Sequence, residues 1–282
     1  MQKSILITGC SSGIGAALAL EFLQQGHIVY ATARKPEALA PLAAKGARTL
    51  ALDVNDDASI AAAFDVVGRA ADGLDILINN AGFSQVGAVI DLTRDDLRRQ
   101  YETNVIAPVA VTKAAIHLLR ASQQRHGVPA VVANVGSIVG LFTTPFAGAY
   151  CSSKAAVHAL SDALRMELAP LGIRVVTIQP GGVRSSFGNH AEETLRLPEE
   201  SLYQSVADGI RARAQAGQRG ATAAEDFVPP VVAALLATHP PSVVRGGKNS
   251  FKLPLLKQLL PTALFDAKLA KVFGLDRMRE PN

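Results

Sequence analysis

Short apolar runs alternate with longer amphipathic segments through the first two thirds of the chain. The apolar runs are rich in β-branched residues, which is typical of strands buried on both faces. They are Ser4–Thr8, His27–Ala33, Arg48–Asp53, Asp75–Asn79, Ala130–Val135 and Arg174–Gln179. The intervening segments have helical periodicity: Gly15–Gln25, Asp56–Ala71, Arg94–Ser122 and Tyr150–Leu171. This alternation predicts a single-domain, doubly wound α/β fold with one parallel sheet covered by helices on both sides.

The pattern changes after Gln179. Polar and glycine-containing residues predict a loop over 181–200, and helical spacing follows over Ser201–Ala216. We expect the stretch 184–217 to form a lid that becomes ordered over bound ligands. A capping box at Thr222–Glu225 predicts the start of another helix, which Pro229-Pro230 should kink or restart and Pro240-Pro241 should end. A short strand is predicted at Val243–Val244. From Phe251 the chain is predicted to form a helical tail that is interrupted at Pro254 and Pro261.

The tail carries most of the net charge. The whole chain has a net charge of +4, and residues 239–282 hold eight basic and three acidic side chains. That stretch therefore sums to +5 and the rest of the chain to −1, so the body offers no basic face for nucleic acid. We accordingly treat residues 1–250 as the main domain and 251–282 as a basic amphipathic extension of it.

One helical face of the tail is apolar. Phe265, Leu269, Val272 and Phe273 have helical spacing, and lysines flank them. Such a stripe is able to make a peripheral contact with an anionic membrane surface. It is equally able to pack on the body or on a second subunit, and the sequence leaves both readings open.

Composition narrows the class of protein. The chain has 282 residues, 49% hydrophobic and 18% charged, which excludes a disordered protein. Its two cysteines, Cys10 and Cys151, form no disulfide framework, and we expect Cys151 to serve in packing. The histidines lack zinc spacing, so no metal site is expected. No apolar run is long enough for a membrane span or a signal peptide, which predicts a cytoplasmic protein, membrane-associated at most through its surface.

A glycine-rich loop joins the first predicted strand to the first helix. It has the sequence Thr8-Gly9-Cys10-Ser11-Ser12-Gly13-Ile14-Gly15. Glycine allows the backbone to turn tightly and to approach a pyrophosphate, whose charge the helix N-terminus stabilises. The position after the first strand predicts dinucleotide binding in a Rossmann-type fold. The contacting residues would be Gly9, Ser11, Ser12, Gly13, Ile14 and Gly15.

The end of the second predicted strand indicates which nicotinamide cofactor is bound. A preference for NAD(H) needs an acidic residue there to bind the ribose 2′-hydroxyl. This chain has Arg34 and Lys35, and no carboxylate occurs before Glu37. A guanidinium and an ammonium suit a 2′-phosphate, so the cofactor is predicted to be NADP(H). The alternative is that both cations simply end a surface strand.

Several ordered motifs over residues 3 to about 185 resemble the short-chain dehydrogenase/reductase family. They are the glycine loop at 8–15, the turn Asn79-Asn80-Ala81-Gly82, Asn104, Ser137, the pair Tyr150 and Lys154, and Pro180-Gly181. The resemblance implies further cofactor contacts from Asp53, Val54, Asn80, Ala81, Gly82, Pro180, Gly181, Val183 and Ser185, and a homo-oligomer, dimer or tetramer. One departure is Gly136, where many relatives carry a second serine.

The resemblance also implies a mechanism. Tyr150 would be the general acid/base for an alkoxide formed by hydride transfer, and Lys154, four residues on, shares its helical face. A free phenol has a pKa of about 10, which a neighbouring ammonium is expected to lower. Lys154 would also bond the nicotinamide ribose. Ser137 would hydrogen-bond the substrate carbonyl, and Asn104 would hold a water that relays protons.

The substrate is the least determined feature. Apolar residues near the motifs suggest a lipophilic carbonyl or alcohol: Phe83, Leu141, Phe142, Phe146 and Phe187. The YATAR strand at 30–34 and the RGGKNSF segment at 245–251 resemble the branch that contains acyl-dihydroxyacetone-phosphate reductases and steroid or retinoid dehydrogenases. Two other readings remain: an NADP(H)-binding redox sensor without catalysis, which would not need Tyr150 and Lys154, and a sugar-nucleotide epimerase or dehydratase, which would need a larger carboxyl-terminal domain.

Overall fold

A computed structural model describes residues 1–278 of the chain. Seven parallel strands form one sheet in the order β3-β2-β1-β4-β5-β6-β7, which is the doubly wound Rossmann-type arrangement predicted from the sequence. The strand order reverses between β1 and β4, and ligands of such sheets bind in the crevice beyond the carboxyl ends of these strands. The strands are β1 Ser4–Ile7, β2 Ile28–Ala33, β3 Arg48–Ala51, β4 Ile76–Asn79, β5 Ala130–Val135, β6 Ile173–Pro180 and β7 Val243–Gly246.

Helices cover both faces of the sheet. The described residues form α1 Gly13–Gln24, α2 Ala40–Ala43, α3 Asp57–Ala70, α4 Arg94–Tyr101, α5 Ala107–His126, α6 Gly148–Leu168, α7 Phe187–Glu193, α8 Ala207–Gln215, α9 Ala224–Leu236, α10 Lys252–Leu259 and α11 Thr262–Val272. Successive strand residues point to opposite faces, so Ile5 and Ile7 pack in the cluster that contains α1 and α9. Leu6 packs in the cluster that contains α3 and α5.

The single helix predicted over 94–122 is divided in the structure. A π-helical turn at Glu102–Ile106 lies between α4 and α5 and carries the buried side chain of Asn104. By length and composition the helical stretch Arg94–His126 would suffice to cross a membrane, with an 18-residue window of mean hydropathy 1.3. Much of its apolar surface belongs to the core, because α5 packs on β4 and β5 through residues such as Val111 and Leu119.

Two predictions for the region after β6 are wrong. The expected loop over 181–200 contains α7, because Gly188 and Ala191 bury one face of a short helix. The expected capping box at Thr222 is absent: α9 has Ala223 at its N-cap without a side-chain hydrogen bond. Thr222 instead pairs through its backbone with Gly182 and Arg184.

Proline does not restart α9. The helix continues through Pro229 and Pro230 and ends at Leu236, before the prolines that were expected to end it. Buried apolar residues on both sides of the proline pair, including Phe227 and Val231, hold the helix against the core. Burial of this face outweighs the hydrogen bonds that proline cannot donate.

The tail differs from its prediction at Pro254, which does not interrupt a helix, and at Val272, which does not pack with the rest of the apolar stripe. Pro254 lies inside the first turn of α10, where no N–H partner is lost, whereas Pro261 separates α10 from α11 as expected. Phe265 and Phe273 of the predicted apolar stripe are buried against the body, while Val272 is 67% exposed. Most of the stripe therefore serves the core. Arg279 and Glu280, which enter the charge of the tail, lie outside the described residues.

Candidate active site

The glycine loop passes close to the turn that follows β4. Gly9 has φ of +72°, and a Cβ at this position would lie 2.8 Å from Ala81 Cα. A Cβ at Gly15 would overlap the side-chain amide of Asn80. The Asn80 amide donates 2.9 Å hydrogen bonds to the carbonyl oxygens of Thr8 and Gly9. Glycine is therefore required here by the neighbouring backbone as well as by any bound phosphate.

Lys154, Tyr150 and Ser137 meet beyond the carboxyl ends of the strands. Ser137 follows β5, and α6 carries the other two residues one turn apart. The Lys154 Nζ donates a 2.7 Å hydrogen bond to the Val135 carbonyl oxygen and lies 5.8 Å from the centre of the Tyr150 ring. The centre of the Phe187 ring, on α7, lies 5.5 Å from the centre of the Tyr150 ring. Three of the four predicted catalytic side chains are thus brought together.

Burial is the main cause of the pKa shifts of Tyr150 and Lys154. Removal from water raises the pKa of Tyr150 to about 12, against the opposing effects of a hydrogen bond with Ser137 and of the Arg213 charge. Removal from water also lowers the pKa of Lys154 to about 8. The Lys154 ammonium is directed to the Val135 carbonyl in this structure, and its effect on the phenol pKa stays a prediction.

Asn104 links the turn after β4 to α6. Its Oδ1 accepts a 3.1 Å hydrogen bond from the Phe83 N–H, and its Nδ2 donates to Phe83 O at 3.0 Å and to Ser153 Oγ at 3.1 Å. The amide is therefore satisfied by protein groups. Its role in holding a proton-relay water stays a prediction, while its role in fixing the Phe83 backbone is visible.

His158 is a site neighbour that the sequence did not reveal. Its imidazole lies between two glycines: a Cβ at Gly136 would overlap its Nε2, and a Cβ at Gly140 would lie 2.5 Å from its Cε1. The Ser137 N–H donates to Nε2 at 3.4 Å. Burial and the Lys154 charge lower the pKa of His158 to about 4, so the ring is neutral. The only sequence signal was Gly136 itself, in place of a second serine.

The predicted cofactor residues lie along the same edge of the sheet. Arg34 and Lys35 are exposed directly after β2, and Asp53 and the buried Val54 follow β3. The Asp53 backbone N–H donates to Ser59 Oγ at 2.9 Å, and its Oδ1 accepts from the Asn55 N–H at 3.0 Å. The two cations are thus available at the strand end where a 2′-phosphate would need them.

The segment after β6 covers the glycine loop. Ser186 Oγ and Ser12 Oγ are 2.6 Å apart, and a Cβ at Gly13 would lie 2.8 Å from the Ser185 Cβ. Pro180, Gly181 and Val183 lead into this contact, and Gly181 is confined by the Lys248 carbonyl at the end of β7. The start of the predicted lid therefore lies directly on the proposed phosphate site.

The predicted substrate residues fall into two groups. Phe187 contacts the Tyr150 ring, and Phe83 follows the turn that holds Gly82. Phe142 and Phe146 are buried, with edge-on ring contacts of 5.8 Å to Phe265 and to Tyr203 respectively. The latter two hold the tail and the lid in this structure, and their contact with a substrate stays a prediction.

The chain is similar to known proteins over most of its length. The family described as short chain dehydrogenase matches residues 3–196. The chain belongs to the short-chain dehydrogenase family. A short-chain dehydrogenase/reductase of Pestalotiopsis microspora is 34% identical over 280 residues, covering 98% of this chain and 95% of that protein. The NADPH-dependent 1-acyldihydroxyacetone phosphate reductase of Schizosaccharomyces pombe is 39% identical over 208 residues, covering 72% of this chain and 68% of that protein.

Solved structures agree with the family assignment. A short-chain dehydrogenase from Streptomyces avermitilis has a TM-score of 0.78 and 30% identity, with 98% of each chain covered. As a member of this family the chain is an oxidoreductase of the kind that binds nicotinamide cofactors. Its own residues fit such a cofactor. No side chain caps the N-terminus of α1, so backbone N–H groups remain there for phosphate oxygens.

Proposed function

We propose that this short-chain dehydrogenase transfers hydride between NADP(H) and the carbonyl or secondary alcohol of a lipophilic substrate. The observation that carries the proposal is the meeting of Ser137, Tyr150 and Lys154 beyond the carboxyl end of β5, beside the turn that follows β4. The glycine loop and the cations after β2 lie at the same edge of the sheet.

Each residue has a separate task in this proposal. When bound, the nicotinamide supplies or accepts the hydride. Tyr150 donates its phenolic proton to the oxygen of the reduced carbonyl, and it accepts that proton in the reverse direction. Ser137 hydrogen-bonds the substrate oxygen. Lys154 holds the nicotinamide ribose and places a positive charge near the phenol ring, from which its Nζ is 5.8 Å away.

The preference for the phosphorylated cofactor rests on Arg34 and Lys35. Both are exposed immediately after β2, and the first carboxylate that follows, Glu37, comes two residues after Lys35 in the next turn. The name of the Schizosaccharomyces pombe relative includes dependence on NADPH, which supports the same choice here. That name also contains a lipid ketone, 1-acyldihydroxyacetone phosphate, which supports a lipophilic substrate.

The test is NADPH oxidation with a panel of aliphatic and lipid ketones. Tyr150→Phe should lower kcat at least a hundredfold, because general acid catalysis typically contributes about 10²–10⁴-fold, while calorimetric binding of NADPH stays within threefold. Tyr101→Phe is the matched control, since its hydroxyl makes no hydrogen bond within residues 1–278. Substantial ketone reduction by Tyr150→Phe would refute the assignment. Binding of NADPH without turnover of any ketone would favour the redox-sensor reading.

We also propose that the protein forms a homo-oligomer and that it is located in the cytoplasm, with a peripheral membrane contact. Exposed apolar side chains on α5 and α6, among them Val109, Leu160 and Met166, support a homo-oligomer. Peripheral membrane contact is supported by Phe251, at the N-cap of α10, and by Leu255 and Leu259 within that helix, which are exposed at four-residue spacing.

A further inference from the structure

Arg213 is a buried cation without an acidic partner in the described part of the chain. It lies on α8 with 8% of its surface exposed. The six ion pairs within residues 1–278 do not include it. A guanidinium stays charged at any physiological pH, and a buried charge is costly unless it is paired. The position therefore calls for an anion that the described protein residues do not supply.

Only one nitrogen of Arg213 is committed to the fold. Its Nε donates a 2.7 Å hydrogen bond to Thr144 Oγ1, and within residues 1–278 the two Nη atoms make no hydrogen bond. Some polar side-chain atoms of the protein are fully enclosed and have no hydrogen-bond partner, but the Nη atoms of Arg213 do not belong to this group. They therefore open onto accessible space. Two adjacent N–H donors in this state suit a carboxylate or phosphate, which accepts two parallel hydrogen bonds.

The Arg213 guanidinium lies near the reacting groups. Thr144 lies in the loop between Ser137 and Tyr150, so its hydrogen bond holds the guanidinium against the catalytic segment. On α8 the neighbouring Ala214 packs in one cluster with Phe146 of the same loop. Arg213 is close enough to Tyr150 for its charge to lower the pKa of the phenol.

We infer that Arg213 binds an anionic group of the substrate, a carboxylate or a phosphate monoester, carried near the reacting carbonyl. This inference rests on the proposed function and narrows its substrate class to lipophilic oxo-acids or oxo-phosphates. The two Nη atoms hold the anion, and the Thr144 hydrogen bond fixes the plane of the guanidinium. The apolar part of the substrate extends from this anchor past the Phe187 side of Tyr150.

The test compares each anionic ketone with its uncharged counterpart. The carboxylate arm uses a long-chain 3-oxo acid and its methyl ester, and the phosphate arm uses a 1-acyl-dihydroxyacetone phosphate and the corresponding 1-acyl-dihydroxyacetone. The wild type should favour the anion in at least one arm, by tenfold or more in kcat/KM. Arg213→Gln should remove that preference mainly through KM, by roughly tenfold to a hundredfold, the range of a hydrogen bond to a charged group. The favoured arm identifies the anion.

Two matched variants separate recognition from folding. Arg211→Gln alters an exposed arginine of the same helix, which pairs with Asp208, and should keep the preference. Thr144→Val removes the fixed hydrogen bond but keeps the charge, and should retain most of it. Calorimetry of the same ligands with the chain saturated with NADP⁺ gives a readout without turnover.

The outcomes are distinguishable. Equal kcat/KM for charged and uncharged ketones, or a preference that survives Arg213→Gln, would overturn the anion site while leaving the proposed function intact. Absence of turnover with all four ketones would overturn the proposed function, and the calorimetric preference would still decide the role of Arg213. Equal loss of binding for both members of a pair would assign Arg213 a structural role only.

Discussion

Substitution of Gly136 by serine should destabilise this protein through a single side chain, His158. A Cβ at position 136 would overlap the imidazole Nε2 and would lie 2.8 Å from its Cδ2 and 3.2 Å from the Ile178 carbonyl oxygen. The ring has little room to move away, because on its other side it already occupies the space that a Cβ at Gly140 would need. Overpacking of this kind costs about 1–3 kcal/mol. In a chain of this size each kcal/mol lowers the Tm by about 2–4 °C.

The assay is a double-mutant cycle read by thermal melting and by kcat. Gly136→Ser alone should lower both Tm and kcat, because the displaced backbone carries Ser137. Combining it with His158→Ala, which removes the ring, should recover at least half of the loss in Tm. Gly217→Ser is the control, since a Cβ there meets no atom within 4 Å. Strictly additive effects of the two substitutions on Tm would refute the claim that the His158 ring occupies the space that a serine side chain at position 136 would need.

Other expectations follow from particular residues. Arg34→Ala should erase a preference for NADPH over NADH of at least tenfold, about 1.4 kcal/mol, measured by calorimetry; equal affinities in the wild type would exclude the assignment. The pKa of Lys154 is lowered to about 8 in the fold, so the unfolded chain binds this proton more tightly than the folded chain does. The free energy of unfolding of the wild type, relative to that of Lys154→Met, should therefore rise by about 1 kcal/mol between pH 8 and pH 9. Denaturant titrations at the two pH values measure this difference. Hydrogen exchange over 184–217 should slow in the ternary complex, because this segment now rests on the glycine loop; an unchanged rate would argue against a lid. Leu255→Ser with Leu259→Ser should reduce co-sedimentation with anionic vesicles at low salt, and a wild type that ignores such vesicles would leave the tail a structural element.

Features encoded by local pattern were predictable from the sequence. The strands agree to within a few residues, because continuous β-branched runs have few stable arrangements other than a buried parallel strand. The positions of Ser137, Tyr150 and Lys154 followed from motif spacing. These predictions depend on neighbours along the chain or on the regular geometry of one helix.

Features decided by tertiary contacts were not predictable. Periodicity placed Phe265 and Val272 on one face of the tail, but only packing decides that Phe265 contacts Phe142 while Val272 remains exposed. The polar composition around α7 hid a helix that needs only one small buried face. Arg213 lies between alanines in an ordinary helical pattern, and its burial depends on a loop almost seventy residues away.

The contacts of the catalytic segment explain why the chemistry was readable and the substrate was not. Three residues of the stretch from Ser137 to Tyr150 make aromatic contacts with three later elements: Phe142 with α11, Phe146 with the turn before α8, and Tyr150 with α7. Phe146 has φ of +63°, a conformation that bulky residues rarely adopt, and its burial in the cluster with α8 opposes the cost. The reacting groups thus come from motifs in the first two thirds of the chain. The aromatic partners Phe187, Tyr203 and Phe265 come from the last third of the chain, where tertiary packing rather than a catalytic motif decides which side chains surround the reacting groups.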